Sequence, residues 1–261
     1  MIEQTDAIVL GARRYSESSK IVKLYTRSLG VIDVMARGAM RPKSRLAGVL
    51  QPLGYLNVVI YIREGRSLQN LSSAETVERF PHLGTDLDRI TGGMSIIELV
   101  AASISEPEPN ALLFEGVLRA LRALNNPDID PHRVELRFML LICELLGYGI
   151  SFDHCALCEE AFSVEEGRVT FSVAAGSPMC GSHRESAGAG GGISEHTLSL
   201  LRLLASTKFA HLDGIVCAPE NVTEGLTLLT AFLQYHIPGL RRLRVGEIAA
   251  RLGAQPGPTG A

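Results

Sequence analysis

Four residues have the types and the spacing to hold a metal ion. Cys155 and Cys158 form a C-x2-C pair, and after a 21-residue spacer Cys180 and His183 form a C-x2-H pair. Three thiolates and one imidazole complete a closed tetrahedron around zinc and leave no position for a reactive water, so the expected site is structural. Each x2 spacing folds into a tight knuckle that turns both ligands inward. Unrelated Cys and His residues falling at these spacings by chance are the bland alternative, and two paired knuckles argue against it. His154, beside Cys155, is the one alternative fourth ligand; spacing favours His183.

Catalytic chemistry is poorly supplied. A zinc deaminase needs a His-x-Glu and a Pro-Cys-x2-Cys, with the Glu as proton shuttle. Here Met179 separates Pro178 from Cys180, and no His-x-Glu precedes them. No Gly-x4-Gly-Lys-Ser/Thr loop is present to cradle phosphates, and the run Gly188 to Gly192 lacks the Lys and a preceding strand. His82, His132, His196, His211 and His236 are scattered without a Ser, Cys or carboxylate constellation. A binding protein is expected, not an enzyme.

Charge says what it binds. The chain carries a formal net charge of -3, yet Arg13, Arg14, Lys20, Lys23, Arg27, Arg37, Arg41, Lys43 and Arg45 face only Glu17 and Asp33 between positions 13 and 45. That stretch holds +7 and the remainder -10. Charge segregated this way points to a polyanion, with a merely solvated basic face as the bland alternative. Within it, Arg37, Arg41, Lys43 and Arg45 lie on a segment kept non-helical by Gly38 and Pro42, a loop suited to follow a phosphate backbone. Arg13, Arg14, Lys20 and Lys23 extend the same field. Neutralising about five phosphates of a single strand would make affinity fall with salt at a log–log slope of about -3.5. Tyr15 and Tyr25 are candidates to stack on bases, against the ordinary role of barrel tyrosines in packing.

These residues need elements to position them. At 261 residues, 46% hydrophobic and 20% charged, the chain is an ordinary globular one with room for two or three modules. The tightest apolar cluster, Phe138 to Cys143, stops at Glu144, far short of a membrane span, and Ala7 to Leu10 is too short for a secretory h-region. Five cysteines, three of them in the knuckles, fit a reducing, cytoplasmic setting, with Cys143 and Cys217 buried. Thr5 to Leu10, Ser19 to Thr26, Val31 to Ala36, Leu56 to Ile62 and Ser67 to Ser73 read as strands, with tight turns at Leu29-Gly30 and Glu64-Gly65. Five short strands suit a closed barrel, OB-like first and SH3-like second.

Helical periods take over from about residue 83. Met94, Ile97, Val100, Ala101 and Ile104 mark one helix ended by Pro107 and Pro109, and Ala111 to Leu124 marks a second. Asp130 caps a third with Pro131 at its first position and Val134, Phe138, Ile142 and Leu145 as its stripe, stopped by Gly147 and Gly149. The zinc module follows, with a strand over Arg168 to Val173; Gly188 to Gly192 is a flexible loop. Ser194 caps a fourth helix, and a fifth runs from about Thr223 to His236, before the basic cluster Arg241, Arg242 and Arg244. The late helices are expected to pack on the earlier three. The expected class is therefore α+β and multi-domain: an OB-like five-stranded barrel (1–80), a helical domain in two parts (81–150 and 193–250), a zinc-binding insert (151–192) and a disordered tail (251–261).

Three strings in register resemble a known family. Ala36-Arg37-Gly38 with Arg41-Pro42-Lys43-Ser44-Arg45-Leu46 and Gln51-Pro52, then Leu136-Arg137-Phe138 running to Glu144-Leu145-Leu146-Gly147-Tyr148-Gly149, then Cys155-x2-Cys158, resemble the RecO family of DNA repair proteins. The resemblance runs to about residue 248, where Arg242-Leu243-Arg244 matches a C-terminal motif. It implies a mediator without turnover that binds single- and double-stranded DNA and anneals complementary strands. With RecR and RecF, such a protein helps load RecA onto DNA coated by single-strand-binding protein. By matching strings, Arg37, Arg41, Lys43 and Arg45 become the DNA-binding residues. Zinc-bearing relatives often use four cysteines and some lack zinc, so His183 is a departure. Relatives also dock the acidic, aromatic-ended tail of single-strand-binding protein on the helical domain; Arg133 and Arg137 beside Phe138 are the residues expected to receive it, against ordinary pairing with Glu135 or Glu144. An RNA-binding OB protein and a zinc-stabilised scaffold that binds only proteins are the alternatives.

Overall fold

The computed structural model describes residues 1–104, 108–187 and 191–240. Pro107, the first half of the glycine loop, the Arg241–Arg244 cluster and the tail lie outside the described residues. Contacts divide the chain into two compact units, Met1–Asn125 and the remainder from Asn126.

In the first unit, five strands close into a barrel in the order β1-β2-β3-β5-β4: β1 Ile2–Arg14, β2 Lys20–Thr26, β3 Gly30–Ala36, β4 Tyr55–Tyr61 and β5 Leu68–Glu78. Every pair is antiparallel except β3 with β5. This order, with one parallel closure, is that of an OB barrel and sets aside the SH3-like alternative. The long β1 serves two neighbours. Its first half pairs with β4 and its second with β2, and the register shift between Val9 and Gly11 supplies the bend. Alternate residues point inward, so Val22, Leu24, Val34, Leu56, Val58 and Ile60 form the core. Both expected turn glycines adopt positive φ, 66° at Gly30 and 72° at Gly65.

Two helices complete this unit. Asp86 caps α1, Leu87–Ser103, by accepting from the Arg89 N–H, and Asn110 caps α2, Ala111–Leu124, through the Leu113 N–H. α2 lays Phe114 on the barrel's outer face, 5.5 Å from the Tyr25 ring and 6.3 Å from Tyr55. Arg27 stacks over that ring at 4.7 Å and pairs with Glu115 at 2.6 Å.

The second unit is built on α3, Pro131–Leu145, whose cap Asp130 accepts from His132 and Arg133 N–H groups. Four short strands follow: β6 Val164–Glu165, β7 Arg168–Ser172, β8 Ser177–Pro178 and β9 Gly192–Ser194, with β6, β8 and β9 each pairing with β7. Ser194 caps α4, Glu195–Ser206, and α5 spans Pro219–His236. α5 starts a turn before Thr223 because Pro219 sits at its first position, where a missing N–H costs nothing. α4 and α5 pack on α3 and on each other. α1 and α2 pair within the first unit. Cys143 is buried as expected, whereas Cys217 is only half-buried. Among the described residues, no helix is long and apolar enough to cross a membrane.

Candidate nucleic-acid interface and metal centre

The four spaced ligands converge. Sγ of Cys158 lies 3.5 Å from Sγ of Cys180, which lies 3.3 Å from Nδ1 of His183; that nitrogen is 3.7 Å from Sγ of Cys155. All four ligand atoms fall within 4.8 Å of one another. Metal–sulfur bonds of about 2.3 Å would set tetrahedral neighbours about 3.8 Å apart, so the cage has the size of a metal ion. His183, not His154, completes the set.

Backbone bonds hold the ligands there. The Glu159 N–H donates to the Cys155 carbonyl at 2.8 Å and the Cys155 N–H to the Glu160 carbonyl at 2.9 Å, closing the first knuckle. The second starts from β7, where Met179 N–H donates to Thr170 at 2.9 Å, and His183 N–H returns to the Cys180 carbonyl at 3.2 Å. Burial raises the Cys155 thiol, but the Cys180 and Leu157 N–H groups and the His183 ring outweigh it and bring it down to about 6. At Cys158 the Glu160 N–H works downward, yet burial and the Cys180 and Cys155 sulfurs push the thiol up to about 11. Adjacent thiolates repel, and a cation held among them removes that conflict.

The basic loop is anchored at both ends and free in the middle. Ala39 and Leu50 are fully buried in the barrel core, and Met40 N–H donates to Ser18 at 3.0 Å. Between them the backbone makes successive tight turns: Arg41 N–H to Gly38, Ser44 to Arg41 and Ala47 to Ser44. Gly38 enters these turns at φ 71°, a left-handed conformation that favours glycine. Arg37, Arg41, Lys43 and Arg45 are all exposed, and among the described residues no hydrogen bond or ion pair engages their side chains. Four unneutralised cations on a pinned loop form a ready electrostatic surface for a polyanion.

The other cations divide. Arg14 pairs across strands with Lys20 and Lys20 with Ala36, so the β1–β2 end, with exposed Arg13 and Arg14, stands beside the start of the basic loop. Lys23 lies further down β2 and is paired with Asp33 at 3.5 Å. Of the two tyrosines, Tyr15 is 61% exposed and free to stack. Tyr25 cannot: its ring is buried under Phe114 and its hydroxyl donates to the Asn110 carbonyl at 3.0 Å. Three residues escape a reading by sequence proximity. Tyr61 is exposed at the end of β4, and Arg63 and Arg66 flank the β4–β5 turn; strand alternation and the Gly65 turn were the signals that point to them.

In the second unit, a cavity of about 640 Å³ opens between α3, α4 and residues 147–153, with Arg137, Leu140, Tyr148, Phe152 and Arg202 among its walls. Of the three residues expected to receive a peptide tail, Arg137 alone lines it. Phe138 is fully buried in the core, because it lies on the opposite, inward stripe of α3. Arg133 donates to the Leu212 carbonyl at 3.3 Å. Arg137 donates through Nε to the Thr207 carbonyl at 2.8 Å and stacks over Phe209 at 5.4 Å, leaving one buried guanidinium nitrogen without a hydrogen bond. Burial lowers its pKa and Glu144 partly offsets this. Its neighbour Arg202 is held by Asp153 at 2.5 Å.

Comparison with known proteins covers nearly the whole chain. Residues 1–80 match the family model "Recombination protein O N terminal" and residues 84–244 the model "Recombination protein O C terminal". The "DNA repair protein RecO" of Pelotomaculum thermopropionicum is 34% identical over 259 residues, spanning 99% of this chain and 97% of that one. Proteins of the same description from Salinibacter ruber and a Nocardioides species are 32% and 31% identical, covering 98% and 95% of this chain and 96% and 100% of theirs.

Proposed function

The chain belongs to the RecO family of DNA repair proteins, and from that premise we propose that it is a non-enzymatic recombination mediator. It binds single- and double-stranded DNA through Arg37, Arg41, Lys43 and Arg45, with Arg13, Arg14 and Lys20 extending the surface and Lys23 joining only if it leaves Asp33. It anneals complementary strands and, with RecR, helps load RecA onto DNA coated by single-strand-binding protein. That protein's acidic tail docks at the Arg137 cavity. The setting is cytoplasmic, beside the nucleoid.

The observation that carries this reading is the pinned loop: four exposed cations without partners among the described residues, in the domain that matches the family's N-terminal model. A phosphate backbone supplies the charge such a loop lacks and releases counterions on binding. The metal in this reading is zinc, held by Cys155, Cys158, Cys180 and His183 in a closed, structural site; three thiolates and an imidazole favour it over harder cations. The zinc steadies the insert, and the loop does the binding.

Fluorescence anisotropy tests this on the full chain. Alanine at Arg37, Arg41, Lys43 and Arg45 together is expected to weaken single-strand binding at least tenfold and to flatten the log–log salt slope by about 2.8, roughly 0.7 per lost cation. An unchanged affinity and slope would count against the loop as the DNA surface.

A further inference from the structure

A row of side chains crosses the barrel's outer face beside the basic loop. Ile2 pairs with Tyr61, Tyr61 with Asn70 and Asn70 with Met35, spanning β1, β4, β5 and β3. Cross-strand partners project to the same side, and the flanking Ile60 and Leu71 point into the core, so this row faces out. Tyr61 is 46% exposed and Ile2 60%. Ile2, Tyr61 and Asn70 of this row floor a depression of about 440 Å³ that Arg37 and Arg63 also line. No carboxylate lines it.

The two cations are held apart by the fold. Arg37 follows Ala36, the last, fully buried residue of β3. Arg63 sits on the β4–β5 turn, which the buried Gln69 side chain pins: its Oε1 accepts from the Arg63 N–H at 2.8 Å, and its Nε2 donates to the Arg63 and Arg66 carbonyls at 3.2 and 2.7 Å. Among the described residues, neither guanidinium has a hydrogen bond or ion pair. An aromatic face, an amide with a donor and an acceptor, and two unneutralised arginines match the parts of a nucleotide: base, base edge and phosphate.

We propose that this depression is a one-nucleotide subsite for single-stranded DNA, with a base on the Tyr61 ring and its flanking phosphates at Arg37 and Arg63. The subsite rests on the reading of the basic loop as the DNA surface, and adds a path: a strand following the loop passes Arg37 and crosses β5 and β4. Only an unpaired base can offer its face to Tyr61, so the subsite separates single strands from duplex where the loop does not. Asn70, beside the ring, is placed to meet the base edge.

Anisotropy of the full chain with a thymidine oligonucleotide, the same sequence as RNA, and a DNA duplex tests the subsite, using Tyr61→Ala, Tyr61→Phe and Arg63→Ala. Circular dichroism melting checks the fold of each. Tyr61→Ala is expected to weaken single-strand DNA binding about five- to 150-fold, the worth of one stacked base, while duplex affinity stays within twofold. Tyr61→Phe retains the platform and is expected to bind within twofold of wild type. Arg63→Ala is expected to lower the single-strand salt slope by about 0.7. Unchanged single-strand affinity in Tyr61→Ala, with loss in the loop variant, would overturn the subsite and leave the loop standing. Equal loss for single strand and duplex would overturn it too, as would a Tyr61 dependence confined to RNA. Unchanged affinity in the loop variant would overturn the reading on which the subsite rests.

Discussion

At the scale of single residues, chemistry and function sit in different places. Cys155, Cys158, Cys180 and His183 are the most specific pattern in the chain, yet a closed site offers no reactive position, and its consequence is mechanical. Cys180→Ser is therefore expected to lose bound zinc, read by elemental analysis, and to expose residues 151–187 to protease while α3 to α5 stay protected. Loss of DNA binding in a variant whose insert remained folded would contradict that division. These four ligands were legible because spacing alone brings two knuckles together. The tyrosines were not. Strand alternation turns Tyr25 outward, but α2 covers it with Phe114, a tertiary contact that local sequence does not encode. Phe138 differs: its place in the Val134, Phe138 and Ile142 stripe already turned it inward on α3, so the family string that includes it marks a core position rather than a docking surface.

At the scale of elements, the second unit is held by one carboxylate and one glycine. Glu224 of α5 accepts from the Ser194 N–H at 2.9 Å and the Thr197 hydroxyl at 2.6 Å, and pairs with Arg168 of β7 at 2.9 Å. It thereby joins β7 to the start of α4. Burial would raise its pKa, but these hydrogen bonds and Arg168 together hold it below the ordinary carboxylate value. A depressed folded pKa gives stability that is present above the unfolded value and is lost as pH falls through the folded one. Glu224→Ala is expected to cost about 1–3 kcal/mol in denaturant unfolding at neutral pH, because the Ser194 N–H loses its acceptor and the Thr197 hydroxyl is left with its longer contacts to Asn221 and Ser194; the difference from wild type should shrink in acid. Gly176 lies at φ 65°, and a Cβ there would meet the Gly149 carbonyl at 2.6 Å and the Phe232 ring at 2.9 Å. Gly176→Ala is expected to lower stability by more than the roughly 1–2 kcal/mol of the left-handed backbone alone, measured by the same titration. Caps at Asp130 and Ser194 and the turn glycines could be read directly from sequence. The pairing of α1 with α2 could not, since amphipathic helices state that they need a partner without naming it.

At the scale of the whole molecule, charge is segregated along the chain. The stretch that carries +7 folds into the barrel's basic loop and its neighbouring strand ends, while the rest of the chain is acidic. A polyanion drawn to that stretch would meet the exposed cations of the basic loop first. The most direct measurement of this account is annealing of complementary oligonucleotides, each coated with single-strand-binding protein. Wild type and the alanine variant at Arg37, Arg41, Lys43 and Arg45 are compared under equal salt, with zinc content and melting confirmed equal. Wild type is expected to anneal the strands, and the variant, folded and zinc-loaded, is expected not to rise above the rate without protein. Annealing by the variant at the wild-type rate would contradict it.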